Sequence, residues 1–136
     1  MSTLILSFLK KDSNKHQKIL KNLEAAAVSK GQIVEVKDAK LERDNLHLAM
    51  YEYIAVVVPA NPLSGKKVPD LVSEVLSTCG PVSGKKGCAL VVKSGLFSNK
   101  FCRFLMRKME KEGMMIDYFE VINNVDHANY VGKKIG

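Results

Sequence analysis

Apolar runs of strand length recur five times along the chain, and they constrain its fold more than any other feature. The strongest run, Tyr-Ile-Ala-Val-Val-Val-Pro, occupies residues 53–59, and the others span residues 3–9, 33–36, 88–92 and 116–122. Continuous apolar runs, as opposed to alternating ones, are typical of strands that are buried on both faces of a sheet. The pattern therefore predicts a five-stranded sheet covered by helices.

Helical patterns separate these runs. Ser13 is placed to cap the first helix, and Gly31 stands where a helix commonly ends. Further helices are predicted to begin near Pro69 and at Ser98, and one short helix is predicted around residues 41–50. The residues expected to face the core share the spacing of one helix face; they are Ile19, Leu20, Leu23, Ala26, Ala27, Leu71, Val72, Val75, Leu76, Phe101, Phe104, Leu105 and Met109.

Strands that alternate with helices predict a parallel sheet, because parallel neighbours need crossover connections. With 136 residues, the chain is expected to form one α/β domain spanning residues 1–136. The open, doubly wound sheet with strand order 2-1-3-4-5 is the natural arrangement at this length. In that sheet, we expect Ile5, Val57, Val91 and Phe119 to be buried in adjacent parallel strands.

The charge of the chain favours anionic partners. There are 21 Lys and Arg against 14 Asp and Glu, a formal net charge of +7, which suits phosphates, nucleotides, nucleic acid or acidic proteins without choosing among them; nucleic acid is the partner least expected here, although the charge does not exclude it. Ligands bind doubly wound sheets beyond the carboxyl ends of strands 1, 3 and 4, here loops 7–15, 59–68 and 93–100. We expect a basic rim at that edge, opposed only by Asp12 and Asp70 and formed by Lys10, Lys11, Lys15, Lys66, Lys67 and Lys100.

Cysteine and histidine positions indicate neither a disulfide framework nor a metal site. The three cysteines suit a reducing cytosol, which predicts a cytoplasmic protein. They are Cys88 and Cys102, expected in the core, and Cys79, expected near the surface. His16, His47 and His127 are widely separated and predict no metal.

The sequence predicts neither a membrane span nor a signal peptide. No apolar segment is long enough to span a membrane. The first apolar run is interpreted as a strand, because no basic residue precedes it.

One segment after the first strand carries a resemblance to a known family. Residues 7–15, Ser-Phe-Leu-Lys-Lys-Asp-Ser-Asn-Lys, resemble the phosphate loop of flavodoxin-like proteins of the NADPH-dependent FMN reductase type, which reads roughly Gly-Ser-x-Arg-x-x-Ser-Asn-Thr. Ser13 and Asn14 match, Lys10 falls on the usual Arg, and Phe8 and Lys15 stand on the family's Ser and Thr. Residues 51–54, 58–63, 68–71 and 84–89 are also similar to family segments, so the resemblance covers residues 3 to about 122.

The resemblance implies a flavodoxin-like fold that binds FMN or a related phosphorylated ligand, as a flavoprotein in electron transport or as an NAD(P)H-dependent oxidoreductase. No catalytic residue follows from it. A helix N-terminus suits a phosphate, but Ser13 can equally be only a helix cap among solvated lysines. Phe97 either contacts the flavin ring or packs against its own helix. The implied cofactor-binding residues are Ser7, Lys10, Ser13, Asn14, Lys15, Asn61, Pro62, Leu63, Ser94, Gly95 and Phe97.

A second function class stays open beside the first. The flavodoxin fold can serve as a non-enzymatic module that has lost flavin and uses its basic edge for another anionic partner, because fold alone does not determine function. The sequence leaves open which substrate or redox partner is used. It also leaves the oligomeric state open, with a homodimer as one candidate.

Overall fold

The computed structural model describes residues 2–60 and 67–136. These residues form five strands and four α-helices, which alternate along the chain except between the second and third strands, where two short 3₁₀ turns take the place of a helix. None of the described helices has the length and apolar character needed to cross a bilayer. In chain order the elements are β1 (Ser2–Ser7), α1 (Asn14–Ser29), β2 (Ile33–Asp38), β3 (Tyr53–Pro59), α2 (Lys67–Cys79), β4 (Lys86–Val92), α3 (Ser98–Lys111), β5 (Met115–Ile122) and α4 (Val125–Gly132).

The strands form one parallel sheet of order β2-β1-β3-β4-β5, which confirms the predicted doubly wound topology. β3 lies at the centre of the sheet, and residues 53–58 are buried. Ile5, Val57 and Val91 are fully buried in the adjacent strands β1, β3 and β4, as expected. The continuous apolar character of β1, β3 and β4 follows from this position, since each has a strand on both sides and helices on both faces.

Two layers of helices cover the sheet, and each layer has its own apolar cluster. One cluster joins α1 and α4 to one face through residues such as Ile5, Leu23 and Val131. The other joins α2 and α3 to the opposite face through residues such as Val56 and Leu105. All three cysteines are buried free thiols, so the expected surface position of Cys79 is wrong: its side chain packs in the second cluster at 8% exposure.

Phe119 departs from the expected burial, because 53% of its surface is exposed. It lies in β5, which has a partner strand on one side only. The pairing of β4 with β5 is also irregular: Gly87 and Cys88 are consecutive, but their partners are Ile116 and Tyr118, so Asp117 is an extra residue. Such a bulge twists an edge strand and is common at sheet edges. An apolar run therefore marks β5 as a strand without showing that it lies at the edge.

The segment between β2 and β3 contains two short 3₁₀ turns, Arg43–Asn45 and Leu48–Met50, instead of the single helix predicted for residues 41–50. The segment begins with a turn at Asp38, whose Oδ1 atom accepts hydrogen bonds from the N–H groups of Lys40 and Leu41 at 2.9 and 3.0 Å. Short polar side chains that bond the nearby backbone in this way compete with helix formation.

Helices α1 and α4 pack closely against each other. A methyl group added to Gly132 of α4 would lie 2.7 Å from the carbonyl oxygen of Leu23 and 2.7 Å from the Cβ of Ala26. Glycine lets the two backbones approach to this distance, and the side chain of Leu23, which is fully buried, fills the space between α1 and the sheet.

Leu23→Ala is expected to lower the free energy of unfolding by roughly 2–5 kcal/mol, because the shortened side chain leaves a cavity at this contact. The matched control is Val28→Ala on the exposed face of the same helix, where the parent side chain is 51% exposed and the change should stay within about 0.5 kcal/mol. Urea unfolding monitored by circular dichroism measures both. Equal effects of the two substitutions would contradict the assigned helix face.

Candidate functional site

The carboxyl ends of β1, β3 and β4 meet at one edge of the sheet. Ser7 at the end of β1 is in register with Val57, and Pro59 at the end of β3 is in register with Val92. The chain leaves β1 for β2 on one side and β3 for β4 on the other, so the strand order reverses between β1 and β3. This is where doubly wound proteins bind ligands.

A cavity of about 400 Å³ opens at this edge. Its volume lies within the range of roughly 300–1,000 Å³ that is usual for small-molecule sites. Three lysines reach it from segments that follow three different strands, a histidine reaches it from the first turn of α1, and the remaining lining is mostly apolar. The lining residues are Phe8, Lys10, His16, Lys40, Pro59, Ala60, Val68, Leu71, Val92, Lys93 and Ser94.

The loop from β1 to α1 is anchored from below by buried groups. Ser7 is 2% exposed, and its Oγ atom accepts from the Leu9 N–H at 3.1 Å, which turns the chain away from the strand. Phe8 stays in the sheet register because its N–H donates to the Val57 carbonyl at 2.9 Å. Its ring, 1% exposed, packs in the α2–α3 cluster. An aromatic side chain therefore forms the floor of this loop and supplies no hydroxyl donor.

Ser13 caps α1, as the sequence predicts. Its Oγ atom accepts from the His16 N–H at 3.3 Å, and its carbonyl accepts from the Gln17 N–H at 3.0 Å. The N–H groups of Asn14 and Lys15, the first two of the helix, donate to no acceptor within the described part of the chain. Capping uses Ser13 Oγ as an acceptor and leaves its hydroxyl hydrogen free, so the cap and an anion contact are compatible.

His16 is the titratable group of this loop whose environment is most perturbed. Its Nδ1 atom accepts from the Lys10 N–H at 3.1 Å. Burial lowers the pKa of His16 below its ordinary 6.5, the positive charges of Lys15 and Lys10 lower it further, and Asp12 offsets part of the effect. Both effects favour the uncharged imidazole, and because Nδ1 accepts a hydrogen bond, the proton of the neutral ring lies on Nε2.

The loop after β4 presents two apolar side chains to solvent. The Oγ atom of Ser98, 5% exposed, accepts from the Ser94 N–H at 3.1 Å and lies 3.3 Å from the Ser94 carbonyl, to which it donates. Gly95, with φ at +73°, makes the tight return that this closure requires. Leu96 and Phe97 between them are 94% and 63% exposed. Phe97 is therefore not a core residue, and its ring is free to contact a ligand or a partner.

Positive charge collects at this edge. Lys10, Lys40 and Lys93 line the cavity, and Asp70, one of the two predicted opposing carboxylates, is paired with Lys108 at 2.9 Å. Lys85 lies at the opposite edge of the sheet, where its Nζ atom donates to the carbonyls of Ala49 and Tyr51 at 2.9 and 2.6 Å. Lys66 and the side chain of Lys67 lie outside the described part of the chain.

The structure places the predicted site residues in three groups. Lys10 and Ser94 line the cavity, and Ser7 is buried beneath the loop. The residues at the start of α1 and in the loop after β4 border this edge of the sheet; they are Ser13, Asn14, Lys15, Gly95 and Phe97. Asn61, Pro62 and Leu63 lie outside the described residues. Their roles toward a ligand stay predictions.

Of the four basic side chains that line the cavity, the sequence analysis named only Lys10 as a site residue and missed His16, Lys40 and Lys93. Lys93 directly follows a predicted strand, so the rule that ligands bind at the carboxyl ends was enough to identify it. Lys40 follows β2, which lies beside β1 in the predicted strand order, and the same rule applied to that strand would have included it. His16 carries no such signal, because its position depends on how the loop turns back over α1.

Several solved structures share this fold over nearly the whole chain. A flavodoxin from the domain Archaea is 21% identical, with 99% of this chain and 96% of that chain covered at a TM-score of 0.67. The two-electron reduced flavodoxin of Megasphaera elsdenii is 16% identical, with coverages of 97% and 98% and a TM-score of 0.65. The flavodoxin, WrbA-like protein of Agrobacterium tumefaciens is 11% identical, with coverages of 98% and 94% and a TM-score of 0.59.

The chain thus has the flavodoxin-like fold, an α/β domain built on a five-stranded parallel sheet. At these identities the comparison establishes the fold alone, since one fold hosts many functions. Comparison with protein-family models finds no match, and comparison with curated proteins finds none either.

Ser13→Ala is expected to lower the free energy of unfolding by about 0.5–2 kcal/mol, because the His16 N–H loses its acceptor. Ser13→Asp keeps an acceptor at the cap and should retain most of the stability. Asn14→Ala, one residue into the helix, is the matched control and should change stability by less than about 0.5 kcal/mol. Thermal unfolding of the variants measures the differences, and wild-type stability in Ser13→Ala would contradict the capping role.

Proposed function

We propose that this protein binds FMN or a related phosphorylated ligand at the carboxyl edge of its sheet and serves electron transfer or NAD(P)H-dependent reduction. The observation that carries the proposal is the cavity at the strand-order reversal, lined by Lys10, Lys40, Lys93 and His16. The similar structures include flavodoxins in oxidised and two-electron reduced states, and this supports a redox role for the shared fold.

The residues present fit the phosphate end of such a ligand. The N–H groups of Asn14 and Lys15 and the hydroxyl of Ser13 are donors at the positive end of α1. Lys10 adds a charge that is not offset by an ion pair among the described residues. Phe8, on the position of the family's Ser, removes one hydroxyl donor, so backbone N–H groups and lysines supply most of the binding.

The apolar part of the cavity fits a flat ring less specifically. Pro59, Ala60 and Val92 supply walls without hydrogen bonds from side chains, and Leu96 and Phe97 are exposed in the loop that follows β4. A bound flavin would supply the hydride or electron acceptance itself, and the protein would bind, orient and exclude water. Lys93 directly follows β4 and would bring positive charge to the β4 side of the cavity.

The proposed location is the cytoplasm. Three buried thiols without a disulfide suit a reducing compartment.

Titration of FMN into the apo-protein, followed by flavin fluorescence, tests the proposal. We expect micromolar to millimolar affinity that falls as salt rises from about 0.01 M to about 1 M, since the Debye length shortens from about 30 to about 3 Å. A yellow colour of the purified protein, with absorbance in the flavin bands, would be direct support. Unchanged affinity in the Ser13→Ala/Lys15→Ala double variant would exclude this loop as the phosphate site.

Ser13→Asp separates anion binding from folding. It keeps the helix cap, so stability should be retained, but it places a negative charge where the phosphate is proposed to lie and should weaken FMN binding at least about tenfold. Lys85→Ala is the matched charge control, because Lys85 lies at the opposite edge of the sheet. It should leave FMN affinity unchanged at high salt.

A non-enzymatic module that binds another anionic partner is the second candidate, and the buried Phe8 specifically favours it. This alternative keeps the basic edge and gives up the flavin. It predicts no FMN binding at low salt together with retained binding of inorganic phosphate or sulfate. Flavin absorbance in the purified protein would exclude it.

A further inference from the structure

Two side chains of α1 hold the peptide groups of Lys10 from opposite sides. The Lys10 N–H donates to Nδ1 of His16 at 3.1 Å, and the Lys10 carbonyl accepts from Nε2 of Gln17 at 3.0 Å. Both Lys10 and His16 line the cavity. The position of the loop therefore depends on an imidazole that lies beside the proposed anion.

This arrangement requires an uncharged His16. A nitrogen that accepts a hydrogen bond carries no proton, so the neutral ring must hold its hydrogen on Nε2. Protonation would place an N–H donor on Nδ1 directly opposite the Lys10 N–H, and the bond between them would break. Two donors would then face the same space, and an anionic oxygen between them could accept from both.

We propose that anion binding in this cavity is coupled to proton uptake by His16, which exchanges its hydrogen bond with the Lys10 N–H for a joint contact of both groups with the bound anion. This rests on the proposed function in that the cavity takes an anionic ligand. His16 thereby makes affinity rise as the pH falls. The ligand group that this coupling requires is a dianion, which can be a free oxyanion or the phosphate group of a larger ligand.

The charged groups around His16 are consistent with this coupling. On its own loop and helix lie Lys10, Asp12 and Lys15, and Lys40 and Lys93 reach the same cavity from β2 and β4. Burial and the positive charges of Lys15 and Lys10 lower the pKa of His16. A bound dianion acts in the opposite direction, since an opposite charge nearby favours the charged imidazolium.

The sign of the pH dependence follows from linkage. The pKa of His16 is lower in the free protein than in the complex, so the complex binds more protons at intermediate pH. Affinity then rises as the pH falls through the higher, bound-state pKa and levels off below the lower, free-state pKa. Since one proton is taken up, the rise is at most about tenfold per pH unit.

Sulfate is the probe, because it stays a dianion over the whole range and does not add its own titration. Calorimetric titration in buffers of different ionisation enthalpy, from about pH 5.5 to about pH 8, should show uptake of up to one proton per sulfate. Nuclear magnetic resonance should show a His16 pKa that rises on saturation with sulfate.

His127 provides a matched control within the same chain. It follows the cap residue Asn124 as His16 follows Ser13, and its Nδ1 atom accepts from the Asn123 N–H at 3.0 Å. It does not belong to the cavity lining. Asn is the matched replacement, because its Oδ1 atom can accept as Nδ1 does but does not titrate. His16→Asn should bind sulfate without pH dependence, and His127→Asn should behave as wild type.

Each outcome decides the inference. Sulfate binding with no proton uptake, equal pH dependence in His16→Asn, or no sulfate binding would overturn it. The proposed function fails separately: FMN binding without His16-linked uptake rejects only the coupling. His16-linked sulfate binding without FMN binding keeps the coupling and rejects the flavin.

Discussion

The parallel pairing of β1 with β3 determines where everything else in this molecule lies. The pairing brings Ser7 level with Val57, and from these two strands the chain runs in opposite directions, from β1 to β2 on one side and from β3 to β4 on the other. The loops that follow these strands then diverge, and the space between them becomes the cavity. Burial on both faces stabilises the pairing, because the core residues of β1 and β3 contact both helical layers.

The sequence predicts the fold well because the central strands are constrained from every side. β1, β3 and β4 have neighbours on both edges and helices on both faces, and such strands require continuous apolar residues. The predictions fail where one of these constraints is missing. Phe119 lies on an edge strand beside a bulge, and the turns at residues 43–50 depend on Asp38 bonding its neighbouring N–H groups. Neither the edge position of β5 nor the hydrogen bonds of Asp38 changes the local pattern of apolar residues, so the pattern could not reveal them.

The site is predicted less completely, and the reason is geometric. Its loops follow from topology, so Lys10, Ser94 and the start of α1 could be named from the strand order. Lys40 and Lys93 follow strand ends and were open to the same rule, whereas His16 lies on α1 and lines the cavity only because the loop turns back over that helix. The apolar pattern identifies a strand but does not specify the path of the loop that follows it. Hydrogen bonds between side chains and backbone set that path here, as for Ser94 with Ser98.

The loop after β1 combines structural groups and the proposed binding groups in the same few residues. Ser13 satisfies a helix N–H, and His16 and Gln17 hold Lys10 in place, so the free protein already has its loop ordered before any anion arrives. Ordering in advance reduces the entropic cost of binding. It also means that an anion must compete with the hydrogen bond between His16 and Lys10 for the same donor. In the proposed coupling, a proton on His16 removes that competition and adds a second donor, so the affinity of this edge for anions would depend on protonation as well as on its lysines.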